Sequence, residues 1–211
     1  MTRLFALNLQ PLQQGGWRKR IQVLPPERQA KALGCRFDAD RARVVGAGWL
    51  LRQSLLELGI PEEAHRFRVD AMGKPHLEGE QVQFNLSHSG LWAVCAVSDR
   101  PVGVDVELPR CSMDIARRHF HPQELEGVEQ LPPMVQRDQL NRLWTAKEAF
   151  LKALGTGITR ELDSFRVCLT EQGASLEQSL SPVPYRLHEY TLDAHRICLC
   201  TPDDRPELEV L

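Results

Sequence analysis

The 211-residue chain has the composition of an ordinary soluble globular protein. Hydrophobic residues make up 42% and charged residues 26%, and 26 basic against 28 acidic residues leave a formal charge of -2. Proteins that bind duplex DNA through its phosphates usually carry a basic excess, so nucleic acid is disfavoured as a partner. The longest apolar run, residues 91–97, is far shorter than the ~20 residues of a membrane-spanning helix, so a membrane partner is also disfavoured.

The cysteines and the first residues both favour a cytoplasmic protein. The six cysteines form no Cys-x-x-Cys pair and follow no regular spacing, so we expect reduced thiols and no zinc site. Asn8 and Gln10 interrupt the first apolar stretch, so no secretion signal is visible.

The first half of the chain is predicted to form a mixed α/β lobe, residues 1–100. Apolar spacing predicts a largely helical stretch over residues 27–59, with Gly34 as a candidate break. Strands are predicted over residues 67–69, 82–86 and 91–97. The polar segment Ser87-His88-Ser89-Gly90 is predicted to be the turn between the last two strands.

A second mixed lobe is predicted over residues 101–211. Alternation predicts a strand over residues 102–108, and a short helix follows around residues 112–120. The most persuasive helix covers residues 138–154, which carry a broad apolar stripe and precede Gly155. Three late strands are predicted over residues 164–170, 184–190 and 196–201.

Two acidic residues alternate with valines in Gly103-Val104-Asp105-Val106-Glu107. In a strand, Asp105 and Glu107 then lie on the same face with side chains roughly 7 Å apart. Such a pair can share one divalent cation, and one or two carboxylates with water and substrate phosphate suit Mg²⁺. A strand with a solvated outer face also explains the pattern, and the motif alone favours that interpretation.

The helix at residues 138–154 contains a second charged pattern, Trp144-Thr-Ala-Lys147-Glu148-Ala-Phe-Leu-Lys152. Glu148 and Lys152 are four residues apart and project from one side, whereas Lys147 stands within the apolar stripe. Alone, this is the pattern of a surface Glu–Lys pair beside a lysine whose amine extends to solvent. A metal site that needs a third carboxylate gives Glu148 an alternative role.

Further segments offer groups that bind phosphate. Gly73-Lys74-Pro75 and the segment from Phe84 to Ser89 supply amides, hydroxyls and an imidazole, although ordinary turn chemistry explains Ser and Asn equally well. Guanidinium groups suit phosphate, but a solvated helix face is the default for the upstream basic cluster. That cluster contains Arg28, Lys31, Arg36, Arg41 and Arg43.

In this order, the segments resemble the Sfp-like 4′-phosphopantetheinyl transferases. The resemblance spans roughly residues 25–170, and its specificity comes from the joint occurrence of the Asp-x-Glu strand and the Lys-Glu helix. The matching segments are Gly73-Lys74-Pro75, Phe84-Asn85-Leu86-Ser87-His88-Ser89, Gly103-Val104-Asp105-Val106-Glu107 and Trp144 to Lys152, with Ala116-Arg117-Arg118-His119-Phe120 and Glu124 as weaker matches.

The resemblance implies an α/β (α+β) fold, a pseudo-twofold monomer of two similar α/β lobes with coenzyme A between them. The N-terminal lobe would hold the adenosine and its 3′-phosphate, and the C-terminal lobe the metal and the pyrophosphate. Asp105, Glu107 and Glu148 would bind Mg²⁺, and Lys152 would contact the pyrophosphate, which makes Asp105, Glu148 and Lys152 the implied catalytic residues. The positions implied for coenzyme A binding are Arg28, Lys31, Arg43, Lys74, Pro75, Ser87, His88 and Lys152.

The implied activity transfers 4′-phosphopantetheine from coenzyme A to a serine of an apo acyl or peptidyl carrier protein and releases 3′,5′-ADP. The hydroxyl would attack the β-phosphate, with Mg²⁺ and Lys152 stabilising the developing charge and Glu148 accepting the proton. Two alternatives stay open: a non-catalytic module that binds coenzyme A or a nucleotide, and a metal-dependent phosphoesterase.

Overall fold

The fold contains two long helices and several small sheets; the computed structural model describes residues 1–71, 73–79, 82–156 and 162–211. The α-helices are Trp17–Arg20 (α1), Pro26–Leu33 (α2), Asp38–Glu57 (α3), Met113–His119 (α4) and Pro133–Leu154 (α5). The strands are Arg3–Asn8 (β1), Phe67–Val69 (β2), Pro75–Leu77 (β3), Gln83–Ser89 (β4), Trp92–Ser98 (β5), Gly103–Glu107 (β6), Arg166–Thr170 (β7), Gly173–Glu177 (β8), Arg186–Leu192 (β9), His195–Thr201 (β10) and Leu208–Val210 (β11).

Two sheets stack face to face, and each carries one long helix on its outer face. The first sheet has the order β11-β1-β5-β4 and the second β6-β10-β9. Apolar side chains of α3 pack on the first sheet, and those of α5 pack on the second. A third apolar cluster joins the sheets, with Val94 on one side and Val104 and Val106 on the other. The predicted mixed α/β fold is confirmed.

The first sheet takes strands from distant parts of the chain. β11 pairs in parallel with β1, with Leu4 opposite Leu208 and Ala6 opposite Val210. A boundary at residue 100 would separate β11 from the sheet that contains it. The division into residues 1–100 and 101–211 therefore stays a prediction.

One predicted turn is wrong. Residues 87–89 continue strand β4, where Ser87 lies opposite Val94 and Ser89 opposite Trp92. The chain reverses instead at Gly90, which has a positive φ of 54°. A side chain at that position would also meet His195, since a Cβ would lie 2.6 Å from its Nε2 atom. Backbone pairing with β5 extends the strand through Ser89, whose hydroxyl, like that of Ser87, contacts β6.

The long helices follow the predicted spacing. The predicted break at Gly34 separates α2 from α3, and α5 starts at Pro133, five residues before its predicted start. Within the described residues, no helix has the length and apolarity needed to cross a bilayer.

Candidate active site

Strand β6 lies directly against helix α5, and Gly103 makes this approach possible. A Cβ at Gly103 would lie 2.1 Å from the carbonyl oxygen of Ala149 and 2.3 Å from the amide nitrogen of Ala153. Because no side chain fits there, the strand and the helix backbone come into contact. This contact brings the acidic positions of β6 next to the charged positions of α5.

The carboxylates of Asp105, Glu107 and Glu148, which come from these two elements, interact electrostatically with one another. Asp105 is 2% and Glu148 6% exposed, and Glu107 is partly buried. Burial, followed by the negative charge of Asp105, raises the pKa of Glu148 from 4.5 to about 6 and also raises the pKa of Glu107. The two valines of β6 point to the apolar layer, so the predicted alternation is confirmed, but its acidic face is buried rather than solvated.

Lys152 links the acids to strand β4. Its Nζ atom donates to Asp105 Oδ1 at 2.6 Å, to Ser87 Oγ at 3.2 Å and to the Val104 carbonyl at 3.4 Å. Ser87 in turn donates to Asp105 Oδ1 at 2.8 Å. One oxygen of Asp105 is therefore occupied by a lysine and a serine from two different elements.

The other oxygen of Asp105 fits a cation. Asp105 Oδ2 is buried without a hydrogen-bond partner, which is costly for a carboxylate oxygen. In the described ranges, no three His, Cys, Asp or Glu side chains form a closed ligand set. Burial, and then the negative charge of Asp105, raises the pKa of Glu107 and of Glu148, and a nearby divalent ion would favour the ionised form of both carboxylates. Hard carboxylate donors, with water and substrate oxygens completing the shell, fit Mg²⁺.

A cavity of about 820 Å³ opens beside the N-terminal basic residues. Of the residues predicted to bind coenzyme A, Arg28, Lys31 and Pro75 line this cavity. Arg28 donates from Nη1 to the Val44 carbonyl at 3.3 Å, and its burial lowers the pKa of its guanidinium. Gly48 leaves room for this side chain, since a Cβ there would lie 2.3 Å from Arg28 Cδ.

Basic residues from three helices act electrostatically on His88. The pKa of His88 is lowered by desolvation and then by the positive charges of Arg43, Lys152 and Lys31. Arg43 also forms an ion pair with Asp40, and Lys31 is exposed to solvent. The imidazole on which these charges act is predominantly neutral at neutral pH, because its pKa is lowered.

Lys74 connects the cavity to the acidic cluster. Its Nζ atom donates to the Lys152 carbonyl at 3.0 Å, and burial lowers the pKa of its amine. The adjacent Pro75 lines the cavity. The contact of Lys74 with α5 therefore adjoins the cavity that Arg28 and Lys31 line, whereas the residues lining that cavity do not include Asp105, Glu107, Glu148 or Lys152.

Comparisons with known proteins identify the family of the chain. Residues 101–200 match the model of the 4′-phosphopantetheinyl transferase superfamily, and residues 9–100 match that of the 4′-phosphopantetheinyl transferase N-terminal region. The chain is 36% identical to the 4′-phosphopantetheinyl transferase psf-1 of Bacillus pumilus, with 94% of this chain and 89% of the relative covered. It is 30% identical to the transferase Sfp of Bacillus subtilis strain 168, covering 90% and 87%.

The chain belongs to the 4′-phosphopantetheinyl transferases. The predicted family and transferase class are confirmed. Among solved structures, a holo-(acyl-carrier-protein) synthase from Bacillus anthracis in complex with coenzyme A (3′,5′-ADP) gives a TM-score of 0.42 at 18% identity, covering 48% of this chain and 93% of that one. That likeness is too partial to add to the assignment.

A buried ion pair in this transferase was missed from the sequence. Lys147 is 0% exposed, and its Nζ atom lies 2.7 Å from Glu124 Oε1 and donates to the carbonyls of Leu162 and Phe165 at 2.7 and 3.1 Å. The expected extension of this amine to solvent is wrong. A lysine inside an apolar stripe was the available signal, but the partner lies 23 residues away along the sequence and could not be identified from helical spacing.

The raised pKa of Glu148 leads to a pH-dependent stability of the metal-free transferase. Between pH 4.5 and about 6 the folded state holds a proton that the unfolded state releases, so stability from this residue falls as pH rises. The shift corresponds to roughly 2 kcal/mol. We therefore expect Glu148→Gln to gain stability over the wild type across this pH range, measured by urea unfolding in EDTA. Parallel pH profiles for both proteins would contradict the assignment.

Proposed function

We propose that the protein transfers 4′-phosphopantetheine from coenzyme A to a serine of an apo acyl or peptidyl carrier protein and releases 3′,5′-ADP, with Mg²⁺ as cofactor. The observation that carries the proposal is the arrangement of charges. The acidic side chains of Asp105, Glu107 and Glu148 interact electrostatically with one another, and Lys152 pairs with Asp105. A cavity elsewhere on the surface is lined by Arg28 and Lys31. Coenzyme A carries a diphosphate, which suits a cation bound by the acids, and a separate 3′-phosphate, which suits the basic residues.

The proposed binding mode assigns each predicted residue a place. The 3′-phosphate and adenosine would contact Arg28, Lys31, Arg43 and His88, with Lys74, Pro75 and Ser87 along the path to the diphosphate. Lys152 would reach the diphosphate because its amine already lies beside Asp105. The basic groups around His88 support an anionic ligand there, since their charges already lower the pKa of the imidazole.

The proposed reaction forms a bond between the serine oxygen and the β-phosphorus of coenzyme A. The bond from that phosphorus to the bridging oxygen breaks, and the electron pair leaves with 3′,5′-ADP. Bound Mg²⁺ would neutralise charge on the diphosphate oxygens. Lys152 would donate to the oxygen on which charge develops. Glu148 would accept the serine proton directly or through water.

One assay tests the proposal against both alternatives. The protein, Mg²⁺, coenzyme A and an apo-carrier are incubated, and the intact carrier is weighed by mass spectrometry. Transfer adds about 340 Da to the carrier and yields an equal amount of 3′,5′-ADP. A carrier with alanine at the acceptor serine is the matched control and must gain no mass. Hydrolysed coenzyme A without an adduct would support a phosphoesterase, and bound but unchanged coenzyme A a binding module.

Arg43 gives a prediction for the 3′-phosphate. Arg43→Ala is expected to weaken coenzyme A about tenfold or more, because a charge-assisted hydrogen bond is lost, but to change dephospho-coenzyme A little. Calorimetric titration with both ligands measures the difference. Arg41→Ala is a suitable control, since Arg41 lies two residues away on α3 and pairs with Asp38. Equal losses for both ligands would remove Arg43 from the 3′-phosphate site.

The proposal includes the oligomeric state and the cellular location of the protein. We expect a monomer in the cytoplasm, with unpaired cysteines as in the structure. Analytical ultracentrifugation of the purified protein tests the monomer directly.

A further inference from the structure

Strands β4 and β6 are neighbours that belong to different sheets. Hydrogen bonds that involve side chains connect the two strands in place of a backbone ladder. Asn85 Oδ1 accepts the Val104 amide at 2.9 Å, and Ser87 donates to Asp105 as described above. Ser89 donates to Glu107 Oε2 at 2.9 Å. Asn85, Ser87 and Ser89, which we call the polar ladder, are alternate residues of β4 and therefore share one face.

The third member of the polar ladder is oriented by a further contact. Ser89 is 7% exposed, and its Oγ atom also accepts the Leu108 amide at 3.4 Å. With a lone pair engaged by that amide, the hydroxyl proton is directed to Glu107. Glu107 is the last residue of β6 and is only partly buried, so its carboxylate has few other restraints. Ser89 therefore determines where one oxygen of Glu107 lies and leaves the other available.

We propose that Ser89 is a positioning residue that holds Glu107 in the orientation needed to bind the divalent cation. The proposal rests on the proposed function, because it concerns the same cation. Ser89 lies on the first sheet and Glu107 on the second. The hydrogen bond thus makes the geometry of the carboxylates depend on the packing of the two sheets. Partners that orient metal-ligating carboxylates commonly affect metal affinity strongly.

The test measures cation binding directly, without turnover. Mn²⁺ binding to the full chain is followed by the electron paramagnetic resonance signal of free Mn²⁺. Ser89→Ala is expected to weaken Mn²⁺ binding about tenfold, the lower range for loss of a ligand's hydrogen-bond partner. The Mg²⁺ concentration for half-maximal transfer should rise by a similar factor, while KM for coenzyme A at saturating Mg²⁺ stays unchanged.

The matched control is Ser98→Ala in the same sheet. Ser98 is 0% exposed, and its hydroxyl lies 2.8 Å from Thr2 Oγ1 and accepts the Arg100 amide at 3.0 Å, without contact to the acids. This variant also loses a buried, hydrogen-bonded hydroxyl, so it controls for the effect of hydroxyl loss on general stability. Its Mn²⁺ affinity should equal that of the wild type.

A double-mutant cycle separates positioning from a structural role. In a Glu107→Gln background, adding Ser89→Ala should weaken Mn²⁺ binding no further, because the restrained carboxylate is already gone. An additive loss, or an unchanged affinity for Ser89→Ala alone, would overturn the role of Ser89. If the wild type itself binds no Mn²⁺, the proposed cation site fails together with the role of Ser89; if it binds and Ser89→Ala matches it, only the positioning role fails.

Discussion

Asp105→Asn is expected to reduce the rate of phosphopantetheine transfer about a thousandfold, because the carboxylate that we propose as a metal ligand would contribute several kcal/mol to transition-state stabilisation. The asparagine oxygen can still accept from Lys152 and Ser87 at the position of Asp105 Oδ1. At the position of Oδ2, however, an amide nitrogen replaces the buried oxygen that lacks a partner. That nitrogen is a donor and cannot bind a cation. Initial rates at saturating Mg²⁺ and coenzyme A measure the loss.

The control for Asp105 is an aspartate without contact to the site. Asp204 has a side chain that is 95% exposed and pairs with Arg186, so Asp204→Asn should transfer at the wild-type rate. Circular dichroism and the melting temperature establish whether Asp105→Asn is folded. A folded Asp105→Asn variant with near-normal transfer would remove Asp105 from the cation site.

Lys147→Met is expected to cost about 3–5 kcal/mol of unfolding free energy, because it leaves the Glu124 carboxylate buried without its cation. The expected fall in melting temperature is roughly 10 °C. Glu124 Oε1 accepts the Val167 amide at 2.6 Å and Oε2 the His121 amide at 3.0 Å, so its carboxylate cannot move to solvent without breaking both bonds. Urea unfolding followed by tryptophan fluorescence measures the change.

A second substitution shows whether the loss comes from the uncompensated charge. Lys147→Met combined with Glu124→Gln should regain a substantial part of the stability, because no buried charge then remains. Lys19→Met is the surface control, since Lys19 is exposed, and it should change stability by less than about 0.5 kcal/mol. An unfolding midpoint of Lys147→Met equal to that of the wild type would show that the ion pair adds nothing.

The sequence predicted those parts of the site that lie within one element. The alternation around Asp105 placed both acids of β6 on one face, and helical spacing placed Glu148 and Lys152 on one side of α5. Only the resemblance to the family implied that the acidic face of β6 and the Glu148–Lys152 side of α5 would lie next to each other. In the structure the meeting depends on Gly103, whose role cannot be read from a local pattern because the atoms it avoids belong to α5.

The remaining features depend on contacts between elements distant in sequence. Ser87 and Ser89 have the local composition of a turn, but they pair with β5 and donate hydrogen bonds to Asp105 and Glu107. Lys147 resembles a surface lysine until Glu124 is placed beside it. In each case the local sequence pattern gives the wrong environment for a polar side chain, because the partner of that side chain lies on another element.

The pairing of β11 with β1 affects how the protein is made. Until residues 208–210 emerge and bind, β1 presents a free row of amides and carbonyls to the surrounding solution, although its side chains Leu4, Phe5 and Ala6 are fully buried in the finished fold. An unpaired strand edge of this kind can pair with other extended chains. We therefore expect nascent or proteolytically clipped molecules that lack this segment to self-associate during expression.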